Sequence, residues 1–139
     1  MEILLVEDRP EDVELTKLAL MANGFKGKFH HVEDGQEAID FLFDENNLEL
    51  AHNLNLILLD INLPKLSGFE VLKRIKNSSL KHVPVVMLST SAEKKDVTEA
   101  YSNYANSYTV KPVGFSDFQQ LMSTLSEYWV EHNITPILS

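Results

Sequence analysis

The segment NLILLDINLP, residues 55–64, constrains the fold more than any other part of the sequence. Residues 56–59 form an apolar run with no polar break, and Asp60 and Pro64 follow it. A short unbroken run of this kind is typical of a strand that is buried on both faces. The acid that ends it needs an explanation, because a buried carboxylate costs free energy unless a partner compensates its charge.

Short apolar segments alternate with segments of helical periodicity along the whole chain. The candidate strands are residues 3–6, 29–32, 56–59, 85–88 and 107–110. Each is followed by apolar residues at helical spacing, which indicates an amphipathic helix. This order is typical of a mostly parallel sheet with helices on both faces. We therefore predict one α/β domain with a doubly wound, five-stranded parallel sheet.

Capping residues predict where the helices begin. Asp34 and Ser67 each precede a glutamate by three residues, which is the pattern of a capping box. The last two helices are expected to begin at Thr90 or Ser91 and at Ser116, because hydroxyl side chains cap helix N-termini. These positions place each predicted helix directly after its strand.

Two other segments carry separate predictions. The polar residues 44–53 are expected to form a long loop or the frayed end of a helix. In the predicted fourth helix, Val97, Ala100, Tyr101 and Tyr104 share one face. We expect that face to pack mainly on the core, with a tyrosine at its margin.

Composition limits the classes of function. The 139 residues carry a net charge of −9, which disfavours nucleic acid and anionic membranes as partners. The absence of cysteine excludes thiolate chemistry and fits a reducing compartment. No apolar stretch approaches the length that crosses a bilayer, and the acidic N-terminus does not resemble a signal peptide. We therefore expect a cytoplasmic protein.

Polar residues follow four of the five predicted strands. They are Glu7 and Asp8 after the first strand, Asp60 after the third, Ser89 and Thr90 at the end of the fourth, and Lys111 after the fifth. Because sites in open α/β sheets form beyond the carboxyl ends of the strands, we expect these side chains to converge.

The converging residue types suit phosphoryl transfer. Three carboxylates repel each other and need a cation, and oxygen ligands on an open site favour Mg²⁺. A carboxylate can attack phosphorus to form an acyl phosphate, so Asp60 is the candidate nucleophile. Lys111 and the metal would hold the phosphoryl oxygens, and a strand-end hydroxyl would hydrogen-bond them.

Each residue also has a purely structural interpretation. Glu7 and Asp8 fit a solvated turn, Asp60 fits a helix cap, and Lys111 fits the protein surface. Asp12, one helical turn after Asp8, either lies near the site or only stabilises a helix N-terminus. The joint pattern at four strand ends favours the site over these separate interpretations.

Four segments resemble one known family. ILLVED, LILLDINLPKLSG, PVVMLSTS and YTVKP occur in the order and at the separations found in response-regulator receiver domains of two-component signalling. The resemblance spans nearly the whole chain. It implies a flavodoxin-like (βα)5 fold with strand order 2-1-3-4-5. It further implies a receiver domain over residues 1–132, a short tail over 133–139 and no output domain.

The resemblance assigns roles around the phosphoacceptor. Asp60 matches the phosphorylated aspartate and Lys111 the family lysine. Asp8 matches a direct Mg²⁺ ligand, and Glu7 a residue that acts through water. Asn62 matches the position whose backbone carbonyl binds the metal.

The resemblance also assigns a conformational switch. Ser89 matches the switch hydroxyl and Tyr108 the switch aromatic residue. Thr90 stands where many relatives carry a smaller residue, so it is expected to modulate access to the phosphate. The bond between Lys111 and Pro112 is often cis in relatives, and a cis bond is therefore an expectation here.

The implied function is a single-domain response regulator that is phosphorylated by a sensor histidine kinase. Residues 7–12 and 62–65 resemble stand-alone regulators that partner bacterial phytochrome kinases. The receiver would catalyse its own phosphorylation and dephosphorylation rather than turn over small substrates. It would signal to a downstream protein through the face made by the fourth helix, fifth strand and fifth helix, through which a homodimer is a further expectation.

Two alternatives stay open from the sequence. An aspartyl-phosphate phosphatase also uses a strand-end aspartate, Mg²⁺ and a lysine, but it needs a second acid where this chain has Asn62, and usually a cap domain. A receiver-like module that binds partners without phosphorylation is the other alternative. Intact Glu7, Asp8, Asp60 and Lys111 argue against it.

Overall fold

The computed structural model describes residues 1–136. Within them lie five strands and six α-helices. The strands are β1 (Glu2–Val6), β2 (Lys28–Val32), β3 (Leu56–Leu59), β4 (Val85–Ser89) and β5 (Ser107–Val110). The helices are α1 (Pro10–Ala22), α2 (Gly35–Leu42), α3 (Leu48–His52), α4 (Gly68–Lys76), α5 (Lys94–Ser102) and α6 (Phe115–Ser126). A 3₁₀ turn at Glu45–Asn47 precedes α3, and a π-helical segment at Glu127–His132 follows α6.

The strands form one parallel sheet in the order β2-β1-β3-β4-β5. This confirms the predicted α/β fold and its strand order. β3 occupies the centre of the sheet, and all four of its residues are buried. The central position explains the unbroken apolar run, because side chains on both faces of β3 contact helices rather than water.

An apolar core lies on each face of the sheet and is formed by side chains of the strands and of the helices packed on them. Successive strand residues point to opposite faces, so Leu4 and Ile57 belong to one core and Ile3 and Leu58 to the other. Residues of α2, α3, α4 and α5 contribute to the first core, and residues of α1 and α6 to the second. Helices on both faces leave the carboxyl ends of the strands at one common edge.

Three of the predicted N-cap positions can be compared directly. Asp34 Oδ1 and Ser67 Oγ accept the amide N–H three residues later, at 2.8 and 3.3 Å, as the capping boxes predict. The cap at Ser116 is wrong, because α6 begins one residue earlier and Gly114 is its N-cap. Ser116 therefore lies inside the first turn.

Both ends of α5 differ from prediction. Its N-cap is Glu93 rather than Thr90 or Ser91. The Ser91 hydroxyl donates to Asp96 in the first turn of α5, and this bond holds the residues between β4 and α5 in a loop. Tyr104 lies beyond the helix with a left-handed φ of 68° and is 75% exposed. Of the four residues expected on the packed face, only Ala100 is buried.

The polar residues 44–53 form a short turn and α3 rather than one loop. This additional helix shifts the numbering, so the predicted switch face corresponds to α5, β5 and α6. The described peptide bonds include no cis bond, and the expected cis bond before Pro112 is wrong. The predicted tail over 133–139 lies partly outside the described residues. Across residues 1–136, no helix combines the length and the apolar character that a membrane span needs.

Candidate functional site

The ends of β1, β3 and β5 bring three of the predicted site residues into contact. Lys111 Nζ donates to Asp60 Oδ2 at 3.0 Å and to Glu7 Oε1. All three side chains are buried, with exposures of 7% for Lys111, 11% for Asp60 and 2% for Glu7. The acid at the end of the central strand is thus compensated by a cation from a strand 51 residues away.

A third carboxylate also contacts the lysine. Lys111 Nζ donates to Asp12 Oδ2 at 3.1 Å, and the Asp12 side chain is 21% exposed. Of the two interpretations of Asp12 in the sequence, the structure therefore favours the one near the site. The signal was its position in the first turn of α1, which begins at Pro10 directly after the strand end that carries Glu7 and Asp8.

Burial and charge together shift two pKa values in this cluster. Burial raises the pKa of Glu7 to about 8, although the hydrogen bond and the charge of Lys111 oppose that rise. Burial disfavours the ammonium of Lys111, but the hydrogen bonds and charges of Glu7 and Asp60 outweigh it and raise the pKa of this lysine. Lys111 is therefore protonated at neutral pH.

Glu7, Asp8 and Asp60 form a group of carboxylates with the chemistry of a metal site. Each offers one oxygen, and these atoms lie within 4.8 Å of one another. Such crowding is unfavourable without a cation, and hard oxygen donors suit Mg²⁺ or a similar divalent ion. Asp8 is exposed, whereas Glu7 is engaged by Lys111 and by the Asp8 N–H at 3.1 Å. The donor set fits a hard divalent cation that Asp8 reaches more freely than Glu7.

The loop after β3 is held by close backbone approaches. The Asn62 N–H donates to Asp60 Oδ1 at 3.1 Å, which orients the carboxylate. A Cβ at Gly68 would lie 2.0 Å from the Asp60 carbonyl oxygen, and a Cβ at Gly35 would lie 2.1 Å from the Leu66 carbonyl oxygen. These two glycines let α4 and α2 approach the loop more closely than any side chain would allow.

Ser91 connects the two predicted switch residues. Its N–H donates to the buried Ser89 Oγ at 3.1 Å, and its carbonyl accepts the Tyr108 hydroxyl at 2.8 Å. Its own hydroxyl donates to Asp96 Oδ2 at 2.6 Å and accepts the Glu93 N–H at 3.2 Å. One loop residue therefore links the end of β4, the side chain on β5 and the first turn of α5. A serine at a predicted helix start was the only sequence signal for this role.

Thr90 and Asn62 are the most exposed of the predicted site residues besides Asp8. Thr90 is exposed directly after β4, and Asn62 is exposed two residues after Asp60. Both lie at the strand edge that carries the carboxylates. Their exposure fits positions that an incoming group meets first.

Two curated proteins are similar to this chain over most of their length. The probable methanogenesis regulatory protein FilR2 of Methanothrix harundinacea is 39% identical over 137 residues, which cover 96% of this chain and 86% of that protein. The response regulator Rcp1 of Synechocystis is 38% identical over 130 residues, which cover 93% and 88%.

Solved structures and a family model agree with these relatives. The Mn(2+)-bound form of response regulator Rcp1 aligns with a TM-score of 0.87 and 36% identity, over 97% of this chain and 98% of that one. The phosphorylated cyanobacterial phytochrome response regulator RcpA aligns with a TM-score of 0.86 and 36% identity, over 97% of both chains. The model of the response regulator receiver domain matches residues 3–123. With the strand order and the acid–lysine cluster described above, these matches show that the chain belongs to the response regulator receiver domain family.

Proposed function

We propose that this protein is a response regulator that accepts a phosphoryl group on Asp60 from the phosphohistidine of a sensor histidine kinase. The observation that carries the proposal is the buried Asp60 carboxylate, which contacts Lys111 beside Glu7 and Asp8 at the end of the central strand. The solved structure of RcpA in a phosphorylated form supports phosphoryl acceptance in a similar protein.

In the proposed reaction, a carboxylate oxygen of Asp60 attacks the phosphorus of the phosphohistidine. A P–O bond forms as the P–N bond breaks, and the imidazole leaves with the electron pair and takes up a proton from solvent. The Lys111 ammonium lies against Asp60 and would stabilise the negative charge that spreads over the phosphoryl oxygens. The Asn62 N–H keeps the carboxylate oriented for attack.

The proposed cofactor is Mg²⁺, with Asp8, Asp60 and the Asn62 carbonyl as ligands and Glu7 acting through water. When bound, the ion neutralises the carboxylates and polarises the phosphoryl oxygens. The exposed Asp8 and the engaged Glu7 support this division of roles. The Mn(2+)-bound structure of Rcp1 supports a divalent ion in this family.

The proposed switch runs from Ser89 through Ser91 to α5. A hydroxyl can accept one hydrogen bond and still donate its own proton, so Ser89 can bind a phosphoryl oxygen while it accepts from Ser91. Any movement of Ser89 would then displace Ser91, on which both Tyr108 and the first turn of α5 depend. A new charged group would thereby bias α5, β5 and α6 between two arrangements.

Ser91→Ala tests this connection. The variant keeps the backbone bonds to Ser89 and Tyr108 but loses the side-chain bonds to Asp96 in the first turn of α5 and to its N-cap residue Glu93. We expect a loss of about 1 kcal/mol in unfolding free energy. Phosphorylation should proceed at a near-normal rate, whereas the amide NMR shifts of α5 should respond less to phosphorylation.

The matched control is Ser102→Ala, which removes an exposed hydroxyl from the last residue of α5. It should leave both the stability and the response of α5 unchanged. A Ser91→Ala protein whose α5 amides respond as strongly as those of the wild type would contradict the proposed connection.

The proposed output is protein contact through α5, β5 and α6, with a downstream protein or a second copy of the chain as occupant. The exposure of Tyr101, Tyr104, Val110 and Phe115 around these elements supports a contact surface. Light scattering with and without a phosphodonor tests the homodimer. The similarity to the phytochrome response regulator RcpA supports a phytochrome-like kinase as the partner. A cytoplasmic location completes the proposal.

Intact-mass measurement after incubation with Mg²⁺ and acetyl phosphate tests the function. We expect the mass increment of one phosphoryl group, its loss when the metal is chelated, and little steady release of phosphate. Continuous turnover of a small phosphate ester would instead favour the phosphatase alternative. That alternative is disfavoured because Asn62, two residues after Asp60, offers no carboxyl group as a general acid. Absence of phosphoryl uptake, together with partner binding that does not depend on the phosphodonor, would favour the phosphorylation-independent module.

A further inference from the structure

We infer that Asp12 is a positioning residue for Lys111. Asp12 accepts one N–H of the lysine in the unphosphorylated protein, and on phosphorylation this N–H passes to the phosphoryl group. The inference rests on the proposed function, because it concerns the regulation of the same site. It assigns to Asp12 control over how strongly Lys111 binds the phosphoryl group.

The first step of the argument is the number of donors on the lysine. An ammonium group has three N–H donors. In the structure Lys111 Nζ bonds three carboxylates, namely Glu7 Oε1, Asp60 Oδ2 at 3.0 Å and Asp12 Oδ2 at 3.1 Å. A phosphoryl oxygen that binds Lys111 must therefore replace one of these bonds.

The second step is which bond is replaced at the lowest cost. Phosphorylation uses one oxygen of Asp60, and the other oxygen stays available to Lys111 as an acceptor. Glu7 is 2% exposed, and loss of its hydrogen bond to Lys111 would leave a buried polar group that water cannot reach. Asp12 is 21% exposed, so water can solvate it after release, and its Oδ2 already lies 3.8 Å from Arg9 Nε. Asp12 is therefore the partner that Lys111 exchanges.

The consequence is a competition between Asp12 and the phosphoryl group for the same donor. A charged acceptor binds an ammonium more strongly than a neutral amide does. Asp12→Asn weakens the competitor and Asp12→Ala removes it, so both variants should bind a phosphoryl mimic more tightly. Asp12 does not belong to the group of Glu7, Asp8 and Asp60, so affinity for the metal alone should change much less.

The chain offers a control for the change in net charge. Glu11 precedes Asp12 in the first turn of α1, is exposed, and bonds Arg9 at 2.8 and 3.1 Å. Glu11→Gln therefore removes the same charge one residue away without removing a partner of Lys111. Any effect of the general electrostatic field is common to Glu11→Gln and Asp12→Asn.

The experiment measures beryllofluoride affinity by fluorine NMR at saturating Mg²⁺, and Mg²⁺ affinity alone by calorimetry. We expect beryllofluoride to bind about fivefold more tightly to Asp12→Asn than to the wild type, because a charged competitor is lost. Its affinity for Asp12→Ala should be at least as high as for Asp12→Asn. Glu11→Gln should stay within about twofold of the wild type, as for exposed charges screened by salt. The lifetime of the phosphorylated protein should lengthen in the Asp12 variants alone. Thermal denaturation verifies that each variant is folded.

The outcomes separate this inference from the proposed function. Wild-type protein that binds no beryllofluoride in the presence of Mg²⁺ overturns both. Wild-type binding with equal affinities for Asp12→Asn, Asp12→Ala and Glu11→Gln overturns only the role of Asp12. Weaker binding to both Asp12 variants also overturns it, because Asp12 would then support the bound phosphoryl group rather than compete with it.

Discussion

Asp60→Asn is expected to abolish phosphoryl uptake, a drop of more than about a hundredfold in the rate of labelling, because an amide is not a nucleophile toward phosphorus. The side chain keeps its shape, and its oxygen can still accept from Lys111 or from the Asn62 N–H. A loss of uptake in this variant would therefore reflect chemistry rather than a collapsed site. Intact mass after incubation with Mg²⁺ and acetyl phosphate measures it.

Mg²⁺ should stabilise the same variant less than it stabilises the wild type. A ligand that binds only the folded state stabilises it by about 1.4 kcal/mol at ten times its dissociation constant. Wild-type melting temperature should rise with Mg²⁺, and Asp60→Asn should show a smaller rise because one carboxylate of the group with Glu7 and Asp8 is neutral.

The control for Asp60→Asn is Asp40→Asn, which neutralises an exposed aspartate on α2 that accepts from Gln36 at 2.9 Å. It should label as the wild type does and keep the full response to Mg²⁺. Persistent acid-labile labelling of Asp60→Asn would mean that another residue is the phosphoacceptor.

The strand-end residues could be predicted from the sequence because a parallel sheet leaves little freedom in where strand ends lie. If residues 56–59 form a central parallel strand, Asp60 must lie at the sheet edge formed by the carboxyl ends of the strands, where Glu7 and Lys111 also lie. Local order along the chain was sufficient for this step.

The contacts that sequence reasoning missed or left open depend on side-chain directions within loops and first turns. Asp12 lies on α1, where the acid could equally have faced water, and only the position of the Lys111 ammonium decides its partner. Ser91 looked like a helix cap, but its hydroxyl bonds Asp96 and its backbone bonds Ser89 and Tyr108. Tertiary contacts of this kind override the local preference of serine for a helix start.

The second large effect is expected from Gly68, the first residue of α4. A Cβ there would lie 2.0 Å from the Asp60 carbonyl oxygen and 2.8 Å from Ile61 Cα. Both neighbours are backbone atoms, so no side-chain rotation relieves the contact. The Gly68 N–H also donates to the Ile61 carbonyl at 2.8 Å, which ties the helix start to the residue after the phosphoacceptor.

Gly68→Ala should therefore lower the unfolding free energy by about 2 to 4 kcal/mol, which exceeds the roughly 1 kcal/mol that alanine gains over glycine in a helix. Relief of the clash must move the loop that carries Asp60, and a displacement of about 1 Å at a reacting group can cost about a hundredfold in rate. Chemical denaturation and the rate of labelling by acetyl phosphate measure the two effects.

Gly114→Ala is the matched control for Gly68→Ala, since it adds the same methyl group at the start of another helix. Gly114 has a φ of −89°, and a Cβ there would meet no atom within 4 Å. Its cost should stay at or below about 1 kcal/mol, as for an N-cap glycine replaced by alanine, with normal labelling. Equal behaviour of the two variants would mean that α4 can withdraw from the phosphoacceptor loop at no cost. A selective defect in Gly68→Ala would establish that the backbone contact between α4 and Asp60 holds the carboxylate in position for phosphorylation.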